Sequence, residues 1–143
     1  MDKLKLVALD SEDLAVVSAH LQDAVVKVAD MAWLAREKRF ALVCNRFDWE
    51  SAEAGQRRRR RTGLQFGRVL KVQHRLQEAG PDAVLNLLAV TFEEGEAPSG
   101  AVTLVFSGGG ALRLEVECLE CEMRDLGPMW ETPSTPKHDA GAA

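Results

Sequence analysis

The chain of 143 residues contains no tyrosine, only three cysteines and no uninterrupted apolar stretch of membrane-spanning length. Each shortage removes a class of protein. An odd handful of thiols, Cys44, Cys118 and Cys121, does not make the disulfide framework of a small secreted domain. Runs such as AVVKVADMAWLA are broken by charges well before the roughly 18 residues a spanning helix requires, so no membrane segment is expected. The opening MDKLKLVALDSEDL carries aspartates where a secretory signal has a basic stretch and then a long apolar one, which points to a reducing cytoplasm. Aromatics make up only 6% of the residues, so base-stacking platforms are poorly supplied. Proline is scarce too, with three of the five in the C-terminal stretch GPMWETPSTPKHDAGAA.

What is present is a composition that is 46% hydrophobic, enough to build one core without staples. Charge is strongly segregated. Residues 1–77 carry 15 Lys and Arg against 10 Asp and Glu, and residues 78–143 carry 3 against 12, so the halves stand at +5 and −9. If both halves join one sheet, neighbouring strands can pair basic with acidic side chains across the solvent face.

Local patterning gives a helix from LDSEDLAVVSAHLQDA. Asp10 or Ser11 can cap it, Glu12 and Asp13 suit its positive end, and Leu14, Val17 and Leu21 share a face. From about residue 24 the β-branched content of AVVKVADMAWLA reads as a long strand. REKR then makes a turn and FALVCNRFDW the hairpin partner. Residues 50–61 read as a loop ending in Arg57 to Arg61, and Leu64 to Leu76 as a single alternating strand with a basic outer face. AVLNLLAVTFE, at 83–93, is apolar enough for a central strand buried on both faces. SGGG at 107–110 supplies a hairpin turn. The parity switch between Leu112, Leu114, Val116, Cys118 and Leu119, Cys121, Met123 demands a bulge or bend near Cys118 and Leu119, unless 119–126 is helical.

The expected architecture is therefore α+β: a curved, mostly antiparallel β-sheet or partly open barrel of about six to eight strands with one N-terminal helix. A pleckstrin-homology-like barrel with a C-terminal helix is the permitted variant. One domain spans 1–127, and 128–143 form a Pro-rich tail, docked near Trp130 and then disordered.

The stretches RFALVCNRFDWE, LQDAVVKVADMAWL, ALRLEVECLECEMRDLG and WETPSTPKH together resemble an alphaproteobacterial family of small single-domain proteins of unknown function. That resemblance implies a bacterial cytoplasmic protein. It carries no substrate, cofactor or catalytic residue.

The chemistry-bearing residues divide into few groups. Arg57, Arg58, Arg59, Arg60 and Arg61, with Arg68, Lys71 and Arg75, place eight basic residues and no acid in one stretch, the supply a polyanion or nucleic-acid site needs. Against it, only Phe66 is interleaved and no nucleic-acid-binding motif accompanies the charges, so the run is expected to be an exposed, mobile loop whose replacement barely alters stability. Cys118 and Cys121 have metal or redox spacing, but Glu117, Glu120 and Glu122 disfavour a reactive thiolate, and the two further ligands of a zinc site would have to come from Cys44, His20, His74 or His138, with no second paired motif. Small buried hydrophobes describe these cysteines better. His20, His74 and His138 lie in no motif, and Ser107 lacks the glycine pattern of a nucleophile elbow. Trp49, beside charges at a strand end, and Trp130, in an extended segment, are candidates for interaction with a partner or with the domain itself. No cofactor is implied. A non-catalytic protein-interaction or assembly domain ranks first, with a protein partner or homo-oligomer; polyanion binding through Arg57–Arg61 is second, and a small-molecule-binding protein or enzyme third.

Overall fold

The computed structural model describes residues 3–49, 52, 55, 57–76, 80 and 82–131, with the backbone alone at 128–131. The main elements within these residues are, in order, β1 (Lys5–Ala8), α1 (Ser11–His20), β2 (Ala24–Leu34), β3 (Arg39–Phe47), β4 (Arg58–Phe66), β5 (Val69–Arg75), β6 (Val84–Glu94), β7 (Gly100–Phe106), β8 (Ala111–Val116) and β9 (Cys121–Glu131). The described strands form one sheet in the order β1-β9-β4-β3-β2-β6-β7-β8-β5, with every described pairing antiparallel and the sheet open at β1 and β5. The α+β expectation holds, with more strands than expected.

The extra strand arises at a corner. What reads as one alternating segment from Leu64 to Leu76 is β4 and β5, separated by Gly67 and Arg68, with Arg68 at φ 57°. The shift in register between Val69 and Lys71 turns Leu70 outward, 53% exposed, while Val69 is buried. A sheet corner needs such an irregularity, and alternation alone hides it. The partner ribbon bends at the same place, between β8 and β9, where the Gly67 N–H donates to the Glu120 carbonyl and the Glu117 N–H to the Arg68 carbonyl. The bend expected near Cys118 and Leu119 is this corner. Residues 121–126 belong to β9, so the variant with a C-terminal helix is not adopted.

The helix fills a seam. Asp10 caps it, its carboxylate accepting from the Asp13 N–H at 2.8 Å, and Leu14 and Val17 enter the core. Pairing of β2 with β6 stops at Leu87, and beyond it the freed Val90 N–H donates to Ser18 Oγ of α1 at 2.9 Å. The helix thus satisfies a sheet edge that would otherwise be orphaned. On the inner side Phe40, Leu42, Leu64, Phe66, Leu87, Leu104, Phe106 and Leu114 form one core. Each such side chain stabilises by about 1.5–3 kcal/mol when fully buried.

Two further expectations change. The strand β6 is central, between β2 and β7, but not buried on both faces: Val84 is 56% and Leu88 38% exposed. Its outer face has no described layer over it, so apolar composition overstated its burial. The backbone of β9 continues through 128–131, pairing Met129 with Arg60 and Trp130 with Arg59. The remainder of the expected tail, 132–143, lies outside the described residues.

Candidate functional site

Alternation along β3 puts Phe40, Leu42 and Cys44 on the inner face, and the same parity continues into Arg46 and Asp48. On β4 it puts Arg60 and Thr62 beside Leu64 and Phe66, and on β9 Asp125 follows Cys121 and Met123. One end of the interior is therefore polar. Asp125 is its hub, 2% exposed and fully bonded. Its Oδ1 accepts from Arg46 Nε at 2.9 Å and from Thr62 Oγ1 at 2.8 Å; its Oδ2 accepts from Arg46 Nη2 at 2.9 Å and from the Leu4 N–H at 2.9 Å. Next to it Arg60 Nε donates to Asp48 Oδ2 at 2.7 Å and lies 4.0 Å from Asp125 Oδ2.

Burial of Asp125 works to raise its pKa, but the hydrogen bonds from Arg46, Leu4 and Thr62 outweigh that and hold the carboxyl below the usual aspartate range. The bidentate fork explains why an arginine stands here, since a lysine could not fill both oxygens in plane. Chemically this is a latch, with its donors and acceptors turned on each other. It joins β3, β4, β9 and the segment before β1.

The arginine run begins this arrangement and is not the loop expected from sequence. Arg58 to Arg61 are in β4, held between β3 and β9. Strand geometry sends alternate residues to opposite faces, so the run divides. Arg60 is buried against Asp48, whereas Arg59 and Arg61 face outward. Arg59 Nη1 donates to the Asn45 carbonyl at 3.1 Å, and its guanidinium lies 5.9 Å from the centre of the Phe47 ring. Burial lowers the Arg59 pKa, while Asp23 pushes it back up. Arg61 is shared between Asn45 Oδ1 at 3.4 Å and Asp30 at 3.9 Å. Arg57 is exposed ahead of the strand and Arg58 half-buried at its start, and both make interactions within the chain.

The other basic candidates lie elsewhere. Arg68 sits at the corner, a full strand length of roughly 25 Å along the chain from Arg60, and faces Glu120 at 3.7 Å and Glu117 at 4.0 Å. Lys71 faces Glu115 at 3.9 Å across β5 and β8, and Arg75 is exposed opposite Ala111. The eight basic residues do not gather into one patch. Arg68 and Lys71 meet acids of the second half, whereas Arg60 and Arg61 meet Asp48 and Asp30 of the first; a further pair across the halves is Lys38 and Glu117, 2.7 Å apart, where the ammonium holds the Glu117 carboxyl below its usual range.

The remaining candidates are dispersed. Burial pushes the Cys44 thiol up to about 12, Arg46 opposing and Asp125 assisting; burial and then Glu122 do the same to Cys121. Cys118 is half-buried at the corner, lining an open hollow of about 450 Å³ with Leu9, Asp10, Phe92 and Pro98. Among the described residues no three His, Cys, Asp or Glu side chains come together as metal ligands. Trp49 stacks edge-on against Phe47 at 4.6 Å and its indole N–H donates to the Gln22 carbonyl at 3.3 Å. His74 is exposed on β5, Ser107 begins the turn before β8, and the side chains of Trp130 and His138 lie outside the described ones.

Sequence reading missed Arg46, Asp48, Thr62 and Asp125. The signal was the unbroken parity of Phe40, Leu42, Cys44, Arg46 and Asp48, which continues a core face through two charges of opposite sign. No curated protein and no solved structure matches the chain. Residues 4–138 match the family described as "Protein of unknown function (DUF2948)", and the chain belongs to that family.

Proposed function

We propose that this protein is a non-catalytic protein-interaction or assembly domain acting in the cytoplasm of an alphaproteobacterium. The observation that carries the proposal is where the ionisable groups are used. The most deeply buried ones, Arg46, Asp48, Arg60 and Asp125, neutralise one another inside the sheet, and Arg59, Arg61, Arg68 and Lys71 have partners in the same chain. A polyanion would have to displace those partners. An acid–base pair poised in a cleft, the minimum for most enzymes, would stand apart from such a latch. An odd number of cysteines, none placed to pair with another and two of them buried, suits a reducing compartment.

In-cell crosslinking of the full chain followed by mass spectrometry tests this. Defined crosslinks from surface lysines to the same chain or to one recurring protein are expected. Two results would replace the proposal: sub-micromolar DNA or RNA binding at about 150 mM salt, where screening acts within about 8 Å, or one metabolite that raises Tm by mass action at saturation.

A further inference from the structure

The outer face of the β6-β7-β8-β5 half-sheet is fixed by register. Directly opposed residues of antiparallel strands share a face. Ala89, Val105, Ala111 and Arg75 make one row across the four strands, and Glu93, Ala101, Glu115 and Lys71 make another. Thr103 and Arg113 lie side by side in the row between them. Ala89, Ala101, Thr103 and Ala111 on this face are small, Arg113 and Glu115 of β8 stand among them, and Val105 is 36% and Leu88 beside it 38% exposed. No described element covers it. Acidic charge stands at the β6 margin, at Glu93, and basic charge at the β5 margin, at Lys71 and Arg75, with Glu115 of β8 3.9 Å from Lys71, a solvent-exposed pair that leaves the ammonium open to a second carboxylate.

We propose that this face binds a second copy of the chain, sheet against sheet, about a two-fold axis that runs parallel to the strands between β7 and β8. The inference rests on the interaction-domain reading and names its partner. Such an axis reverses the strand order and keeps the rows. Glu93 of each copy then faces Lys71 of the other, and Val105 faces Ala111. A two-fold axis across the strands instead sets Arg113 on Arg113 and Arg75 on Lys71, like charge on like. Only the first arrangement is self-complementary, the requirement of an isologous interface. The small residues let the two faces approach to the usual sheet spacing of about 10 Å. Four strands and three rows cover roughly 400 Å² per copy, about half of the ~800 Å² per partner of a standard stable interface. The dimer is consequently weak and transient, and weakened further by salt.

Sedimentation equilibrium of the full chain, from about 10 to about 500 µM so as to reach weak association, reads this directly. The parent should show a monomer–dimer equilibrium. Lys71→Glu and Glu93→Lys should each lower the association constant at least tenfold, and Val105→Arg should abolish association. The exchange Lys71→Glu with Glu93→Lys in one chain should restore it, because each contact is re-formed with its signs reversed. Near-ultraviolet circular dichroism checks that each variant keeps its tertiary structure, and only folded variants are compared. A parent that stays monomeric throughout overturns the inference, as does a dimer that ignores all these changes or a charge exchange that fails to restore association. Those failures differ from failure of the interaction-domain reading, in which crosslinking finds no protein partner of any kind.

Discussion

Replacing Asp125 by alanine should be among the most damaging single changes available to this fold. The carboxylate accepts four hydrogen bonds, two of them from one buried guanidinium, and its loss leaves Arg46, itself 1% exposed, charged and without its fork. Removing one partner of a buried ion pair costs about 3–5 kcal/mol, because the survivor's desolvation is no longer offset. With a urea m-value of roughly 2 kcal/mol/M, that displaces the unfolding midpoint by about 2 M. Equilibrium urea unfolding, followed by tryptophan fluorescence, measures it. The double variant Arg46→Met with Asp125→Leu separates charge from architecture, since an apolar pair of similar volume is often neutral or better. Its loss should be far smaller than the sum of the two single losses. If Asp125→Ala costs less than about 1 kcal/mol, the range of an exposed pair, or if the two single effects simply add, the latch does not hold the fold.

Four other outcomes follow from the same geometry. Arg60→Ala should cost about 3 kcal/mol by removing one side of a buried ion pair, while Arg61→Ala, at a half-exposed pair, should cost under about 1 kcal/mol; thermal melts of the two compare them. The Asp125 carboxyl sits below its unfolded value of about 3.9, so its contribution is present above that pH and lost as pH falls through the folded pKa. Acid titration of the parent should therefore show a steeper stability loss below about pH 4 than titration of the Met/Leu double variant. Ellman's reagent should modify Cys118 first, with Cys44 and Cys121, both raised to about 12, reacting only on unfolding. Gly100→Ala should destabilise by about 1–3 kcal/mol in urea unfolding, since its Cβ would meet the Glu93 carbonyl at 2.5 Å. Gly67→Ala, whose Cβ meets the movable end of Glu120, should cost much less in the same experiment.

Where a residue's own pattern decided its fate, the sequence was legible. The Asp10 cap, the strand from Ala24, the glycine turn at Gly108 and Gly109, and the bend near Cys118 all rest on local chemistry, and all four stand. The charged interior was not legible, because polarity was taken as exposure. Arg46 and Arg60 are tolerable inside only because Asp125 and Asp48 arrive from other parts of the chain, and that pairing exists only in three dimensions. The arginine run misled for a related reason: a charge block with glycine before it looks solvated until its cross-strand acceptors are known. The corner at Gly67 and Arg68 was hidden because apolar parity resumed three residues later.

The latch also sets an order on manufacture. Among the described strands β1 has β9 as its one sheet neighbour, and Asp125 lies 79 residues beyond the arginine it serves. At roughly 5–20 residues per second a ribosome takes about 4–16 seconds to make that interval. Throughout it β1 lacks the strand it pairs with and Arg46 lacks the carboxylate that holds its fork. A message cut short anywhere before residue 125 therefore yields a product that exposes its own strand edges and stays recognisable as unfinished. Among the described strands, β9 is thus the one that closes the fold: it brings β1 its sheet partner and Arg46 its carboxylate together.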